Sequence, residues 1–187
     1  MQKLTASFLG RDGPGIVAEI TSLVGRSGCN IEAMSQTMLK GEFAAIFVVS
    51  APDDIDPSTL KKMLEDRLAE ARIDLSVMVR PAVEAEWGEN IPCEPFVVTA
   101  DGPDGPGEIG ALSKVFARHG VNIENLAAVL GEVAPGEALF VFEVMVPRTV
   151  DLGRLRREFM LEAKKLGLQA SVQHRDIFEA VNRITAI

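Results

Sequence analysis

The stretch DGPGIVAEITSLVGRSGCNIE, residues 12–32, decides the fold, because it returns as DGPGEIGALSKVFARHGVNIE at residues 104–124. The offset of 92 residues holds from Asp12 and Asp104 through Gly28-x-Asn30-Ile31-Glu32 and Gly120-x-Asn122-Ile123-Glu124. Further along, Gly41-Glu42, Pro52, Asp56 and Leu60 reappear as Gly136-Glu137, Pro147, Asp151 and Leu155, now 95 residues on, and Ser76-Val77 and Ser171-Val172 keep that offset. The three extra residues fall on a longer hairpin loop around Pro135 and Gly136. An offset that survives a whole unit marks an internal duplication. The chain therefore reads as an N-terminal unit, 1–81, a linker, 82–93, a C-terminal unit, 94–176, and a tail, 177–187. The stretch VEAEWGENIPCEP mixes acid, Gly and Pro without periodicity, as a linker does.

Within the first unit, LTASFL reads as a strand ending at Gly10, and Gly13-Pro14 as a helix start, with Gly13 as the cap and Pro14 in the first turn. Ile16, Val17, Ile20, Leu23 and Val24 recur at helical spacing up to Gly28. Residues 29–38 and 43–51 read as strands joined at Lys40-Gly41-Glu42, a short Gly-containing hairpin. Asp56-Pro57-Ser58 opens a second helix with Leu60, Met63, Leu64, Leu68 and Ala71 inward, and Ile73, Leu75, Val77 and Val79 alternate as a last strand. The second unit repeats this, with Ile109, Leu112, Val115 and Phe116 on its first helix and Leu152, Leu155, Phe159 and Leu166 on its second. The order β-α-β-β-α-β is the split βαβ of ferredoxin-like α+β folds, two antiparallel sheets each with both helices on one face. The third strand of each unit is apolar on both sides, Phe47 beside Ile46 and Phe142 beside Val141, so the open face is expected to be covered by the other unit or another chain. In the tail, Phe178, Val181 and Ile184 stand at helical spacing and would supply part of that cover.

At 187 residues there is room for two domains. Hydrophobic residues at 47% and charged ones at 25% exclude a disordered or low-complexity chain. The balance of 27 Asp+Glu against 19 Lys+Arg leaves a net charge of −8, a field that repels phosphate backbones and anionic lipid. No direct nucleic-acid or membrane partner is expected. Cys29 and Cys93 form no CxxC, and only His119 and His174 stand beside them, so neither a disulfide framework nor a metal site is expected. The start MQKLTASFLG has no apolar signal core, which makes a cytoplasmic location the expectation.

No GxSxG, HExxH or nucleophile–base set is present and Tyr is absent, so no catalytic residue, no enzyme activity and no cofactor is expected. Cys29 reads as a small buried residue at a strand start, His119 as a last-turn residue favoured by the helix dipole, and His174 as an edge or interface residue. Glu65, Asp66 and Glu70 read as a solvated helix face. The repeated Asp-Gly-Pro-Gly loop joins a strand to a helix N-terminus, where free N–H groups and the dipole favour an anion. Gly13 and Gly15 admit a ligand close to the backbone, and Asp12 offers a carboxylate for an ammonium, charges complementary to an amino acid. Asn30 can both donate and accept. The same residues also make an ordinary turn and strand start, and that alternative stays open.

With these residues in view, the pattern resembles the ACT domain in its strand–loop–helix–strand core, its Asp-x-Pro-Gly turn and its Asn-Ile strand start. The tandem layout and GCNIEAMSQTMLKGEFAAIFVVS resemble the glycine cleavage system transcriptional repressor-like family. The resemblance implies a regulatory module that binds amino acids where ACT units meet, the loop of one facing the early strand of its neighbour. Carried over by position, Asp12, Gly13, Pro14, Gly15 and Asn30 would line one site, and Asp104, Gly105, Pro106, Gly107 and Asn122 another. Glu108 departs from the first copy's Ile16, and an acid there would compete with a ligand carboxylate, so the first loop is expected to be the better site. The resemblance further implies a homodimer or higher oligomer and regulation of transcription through a protein partner such as an activator, with glycine as the suggested ligand. A structural interaction module without a ligand, and an orphan regulatory subunit docking on a biosynthetic enzyme, are the alternatives.

Overall fold

The computed structural model describes residues 1–82, 90–131 and 135–183. The chain forms two units, Met1–Glu84 and Ala85–Ile187. The first runs β1 (Gln2–Arg11), α1 (Ile16–Arg26), β2 (Asn30–Leu39), β3 (Glu42–Ala51), α2 (Pro57–Glu70) and β4 (Leu75–Pro81). The second repeats it as β5 (Cys93–Pro103), α3 (Glu108–Arg118), β6 (Asn122–Leu130), β7 (Glu137–Pro147), α4 (Leu152–Lys165) and β8 (Gln169–His174), then adds α5 (Arg175–Arg183). Each unit holds a four-stranded antiparallel sheet, in the orders β2-β3-β1-β4 and β6-β7-β5-β8. The architecture is α+β with two βαββαβ domains.

The strand period of two and the helix period of 3.6 meet in one core per unit. Leu4, Ala6 and Phe8 of β1 and Phe43, Phe47 and Val49 of β3 pack under Ile16, Ile20 and Val24 of α1 and Leu60, Leu64 and Leu68 of α2. In the second unit Val98, Phe140, Phe142 and Val144 pack under Leu112, Val115, Phe116, Leu155, Phe159 and Ala163. There Phe116 stacks on Phe159 with ring centroids 4.9 Å apart and Phe142 closes the cluster at 5.4 Å from Phe116. Each such side chain contributes about 1.5–3 kcal/mol by leaving water.

Several local expectations are corrected. Helix α1 begins at Ile16 and its cap is Gly15, with φ 95°, so Gly13 is not the cap and Pro14 lies ahead of the helix. The left-handed Gly15 turns the chain after Pro14, which moves the start on by two residues. The hairpin reduces to Lys40-Gly41, with φ 50° and 85°, a two-residue type I′ turn that matches the twist of its strands. In the second unit Gly131 N donates to Glu137 O at 2.8 Å, and residues 132–134 of the longer loop lie outside the described residues. Met63 is half-buried and Ala71 is the C-cap of α2. Ile109 and Leu152, expected inward, are exposed, and Glu108 takes the inward position in place of Ile109.

On the outward side of the first sheet Leu9, Ile46 and Met78 are exposed. In the second unit α5 packs beside β5 and β8, where Arg175 reaches Glu124 at 2.9 Å and Glu143 at 3.5 Å. Phe178 is half-buried there but Val181 is exposed, so the tail covers less than its spacing suggests. Ile184 and linker residues 83–89 lie outside the described residues.

Candidate functional site

Asp12 N donates to Gly41 O at 2.9 Å, tying the first loop to the β2–β3 hairpin, and Asp104 N donates to Gly136 O at 2.9 Å in the second. Two kinds of helix start alternate along the chain. Helices α2 and α4 carry aspartate caps, Asp56 Oδ1 accepting from Thr59 N at 2.7 Å and Asp151 Oδ1 from Arg154 N at 2.9 Å. Helices α1 and α3 are capped by left-handed Gly15 and Gly107, which offer no side-chain acceptor. Their first-turn N–H groups are left as donors at the positive end of the dipole.

In the first unit this loop lies beside the turn from α2 to β4. Gly10 makes the approach possible, because a Cβ on it would stand 2.5 Å from the Asp74 carbonyl oxygen. Asp12, Gly13, Pro14 and Ile16 thereby share a cleft of about 280 Å³ with Arg11, Arg72 and Asp74. Among the described residues no side-chain hydrogen bond or ion pair engages Arg11, Asp12, Arg72 or Asp74. The cleft offers two unspent cations and two unspent carboxylates, the complement of a zwitterion.

In the second unit the loop N–H at Gly105, which matches Gly13, is already taken. Glu108, 4% exposed, folds back so that its Oε2 accepts from Gly105 N at 3.1 Å. Ile16, at the matching position of the first unit, is equally buried but has no acceptor. A Cβ on Gly105 would stand 3.2 Å from Glu108 Oε1, so the glycine gives the carboxylate its seat. Pro106 and Gly107 complete that loop on the exposed side, and Asp104 is exposed.

Asn30 and Asn122 open β2 and β6, exposed and half-buried respectively. Within one unit they do not join the loops. Asn30 pairs with Ser50 and Ser50 with Lys3, whereas the loop leaves from Arg11, paired with Glu42. Eight residues of strand at about 3.3 Å each set the two roughly 26 Å apart.

His119 and Cys29 sit in structural surroundings. His119, on the C-cap of α3, donates from Nε2 to Glu158 Oε2 at 3.0 Å, and Arg154 Nε donates to Glu158 Oε1 at 2.8 Å. Arg154 first, and His119 after it, hold the Glu158 carboxyl below its ordinary range. Cys29 is buried, and burial followed by the nearby charge of Asp54 pushes its thiol up. Among the described residues no three His, Cys, Asp or Glu side chains come together to hold a metal, and no helix is long and apolar enough to cross a membrane. Arg11, Arg72 and Asp74 escaped the sequence reading. Their signal lay in the difference between the copies, since the offsets place Pro103, Gly167 and Gln169 at the matching positions.

Comparison with known proteins agrees with this architecture. The ACT domain model matches residues 2–78. A UPF0237 protein of Methanopyrus kandleri is 34% identical over 89 residues, 96% of its own length and 47% of this chain. The glycine cleavage system transcriptional repressor of Escherichia coli K12 is 28% identical over 176 residues, spanning 90% of this chain and 88% of that protein. Among solved structures, a protein of unknown function from Galdieria sulphuraria superimposes with a TM-score of 0.74 at 23% identity, over 92% of this chain and 98% of its own, a likeness of fold.

Proposed function

The chain belongs to the ACT-domain family, as a tandem protein related to the UPF0237 proteins and distantly to the glycine cleavage system transcriptional repressors, and from that premise we propose that it is a non-catalytic cytoplasmic regulator that binds a small amino acid and acts through a protein partner. The observation that carries this reading is the first-unit cleft, lined by the start of α1, which has no side-chain cap, by Asp12 and by two arginines. The carboxylate of an amino acid would take the loop N–H groups and the ammonium would take Asp12. The distant relationship to the repressors makes glycine the first ligand to try and transcription the first process to examine. A net charge of −8 opposes direct contact with DNA, so the effect would pass through another protein. Asp12, Gly13, Pro14 and Gly15 are assigned to the ligand, and Asn30 would serve the loop of a neighbouring ACT unit in a homodimer or higher oligomer. Ligand binding would act by shifting the balance between two states of the protein, by no more than its differential affinity for them.

The test is thermal unfolding of the full chain in the presence of each of the twenty amino acids. A ligand that prefers the folded state raises apparent stability by about 2.7 kcal/mol at 100 times its Kd. A selective rise for one or a few small amino acids, reduced in Asn30→Ala, is the expected result. No rise with any of them at millimolar concentration would leave the fold as an interaction module, a reading favoured by the exposed Leu9, Ile46 and Met78 on the first sheet.

A further inference from the structure

The two loops have the same sequence for four residues and different surroundings. In the first unit Arg11 and Arg72 line the cleft together with Asp12 and Asp74, and among the described residues no side chain accepts from the loop N–H groups. In the second, Pro103 and Gly167 stand at the matching positions, and the Glu108 carboxylate sits on the Gly105 N–H at 3.1 Å. The loop that carries a carboxylate on its own N–H lacks both arginines, and the loop that has both arginines nearby carries no such carboxylate. We propose that Arg72, with Arg11 beside it, is the carboxylate-recognising group of the first-unit cleft, and that the second unit is a self-occupied copy in which Glu108 stands where a ligand carboxylate would bind. This rests on the amino-acid reading above and adds to it a specificity residue and a stoichiometry of one ligand per chain.

The turn that carries Arg72 shows that the fold does not require an arginine there. Arg72 has φ 57°, a left-handed conformation that side chains disfavour, and Gly167 makes the same turn with φ 79°. In both units the next residue closes the turn identically, Ile73 N donating to Leu68 O at 2.9 Å and Leu168 N to Ala163 O at 2.9 Å. The arginine therefore brings the turn nothing that glycine lacks, while Arg72, whose side chain has no partner among the described residues, is one of the residues lining the cleft that holds Asp12 and Gly13. A guanidinium presents a planar pair of donors suited to a carboxylate, and the loop N–H groups and Asp12 complete an arrangement for a molecule with one carboxylate and one ammonium.

The experiment is isothermal titration of the full chain with the twenty amino acids, then with the carboxamide of the tightest binder, which keeps the ammonium and loses the carboxylate. The expected result is one molecule bound per chain and a carboxamide at least about tenfold weaker than the acid. Arg72→Gly, which copies the turn of the second unit, should weaken the acid by about tenfold or more, the carboxamide by less than about twofold, and leave the melting temperature in place. Arg11→Gln is the second variant and should act in the same direction. Acid and carboxamide binding alike, a preference unchanged in Arg72→Gly, or two molecules per chain would overturn this inference alone. Binding of none of the twenty would overturn it together with the reading on which it rests.

Discussion

Gly10 shows how a single hydrogen in place of a methyl group builds the cleft. Its Cα lies so close to the α2–β4 turn that a Cβ would stand 2.5 Å from Asp74 O and 2.9 Å from Leu75 Cδ2. Backbone cannot swing aside as a side-chain tip can, so Gly10→Ala should cost about 1–3 kcal/mol in urea denaturation. The same displacement would move Arg72 and Asp74 away from the loop, and amino-acid affinity should fall with stability. Full stability in the variant would contradict the packing described. At this scale the sequence was informative about residue type and misleading about place. Gly13, Pro14 and Gly15 were legible as a turn, yet the left-handed geometry of Gly15 moved the helix start from Gly13-Pro14 to Ile16. Glu108 was legible as an acid at a helix start, but its inward fold onto Gly105 depended on the space that a glycine leaves.

At the scale of elements, the two units close their helix pairs with different chemistry. In the first, Arg67 of α2 donates from Nε to Glu19 of α1 at 2.8 Å. In the second, Glu158 of α4 accepts from His119 after α3 and from Arg154 one turn away. Because the folded Glu158 titrates below its ordinary value, its contribution is present above the unfolded pKa, about 4.3, and is lost as pH falls through the lower folded value. Glu158→Gln should therefore lower the melting temperature at pH 7, with the gap to wild type closing as pH is taken below about 4. A gap independent of pH would mean that packing, not charge, is what the substitution removes. The elements themselves were legible because hydrophobic period and turn chemistry agree: Asp56-Pro57 as a capped helix start and Lys40-Gly41 as a hairpin are local statements. The exposure of Ile109, Leu152 and Val181 was not, since spacing names a stripe without saying where the neighbouring elements end.

At the scale of the whole molecule, duplication supplied two ACT units of one fold and substitution made them unequal. The repeat was visible in the sequence because an offset of 92 to 95 residues needs no structure to be seen. What distinguishes the units lies in residues that do not repeat, Arg11, Arg72 and Glu108, and these acquire meaning only when the α2–β4 turn is brought beside the loop. The central claim is that one loop is open to an amino acid and the other is filled from within. It is tested most directly by a 1H–15N correlation spectrum of the full chain titrated with the amino acid that gives the largest thermal shift. The expected result is movement of the Gly13 and Gly15 amide signals together with that of Arg72, while those of Gly105 and Gly107 stay in place. Movement of the second pair with the first, or stillness of the first, would contradict the account.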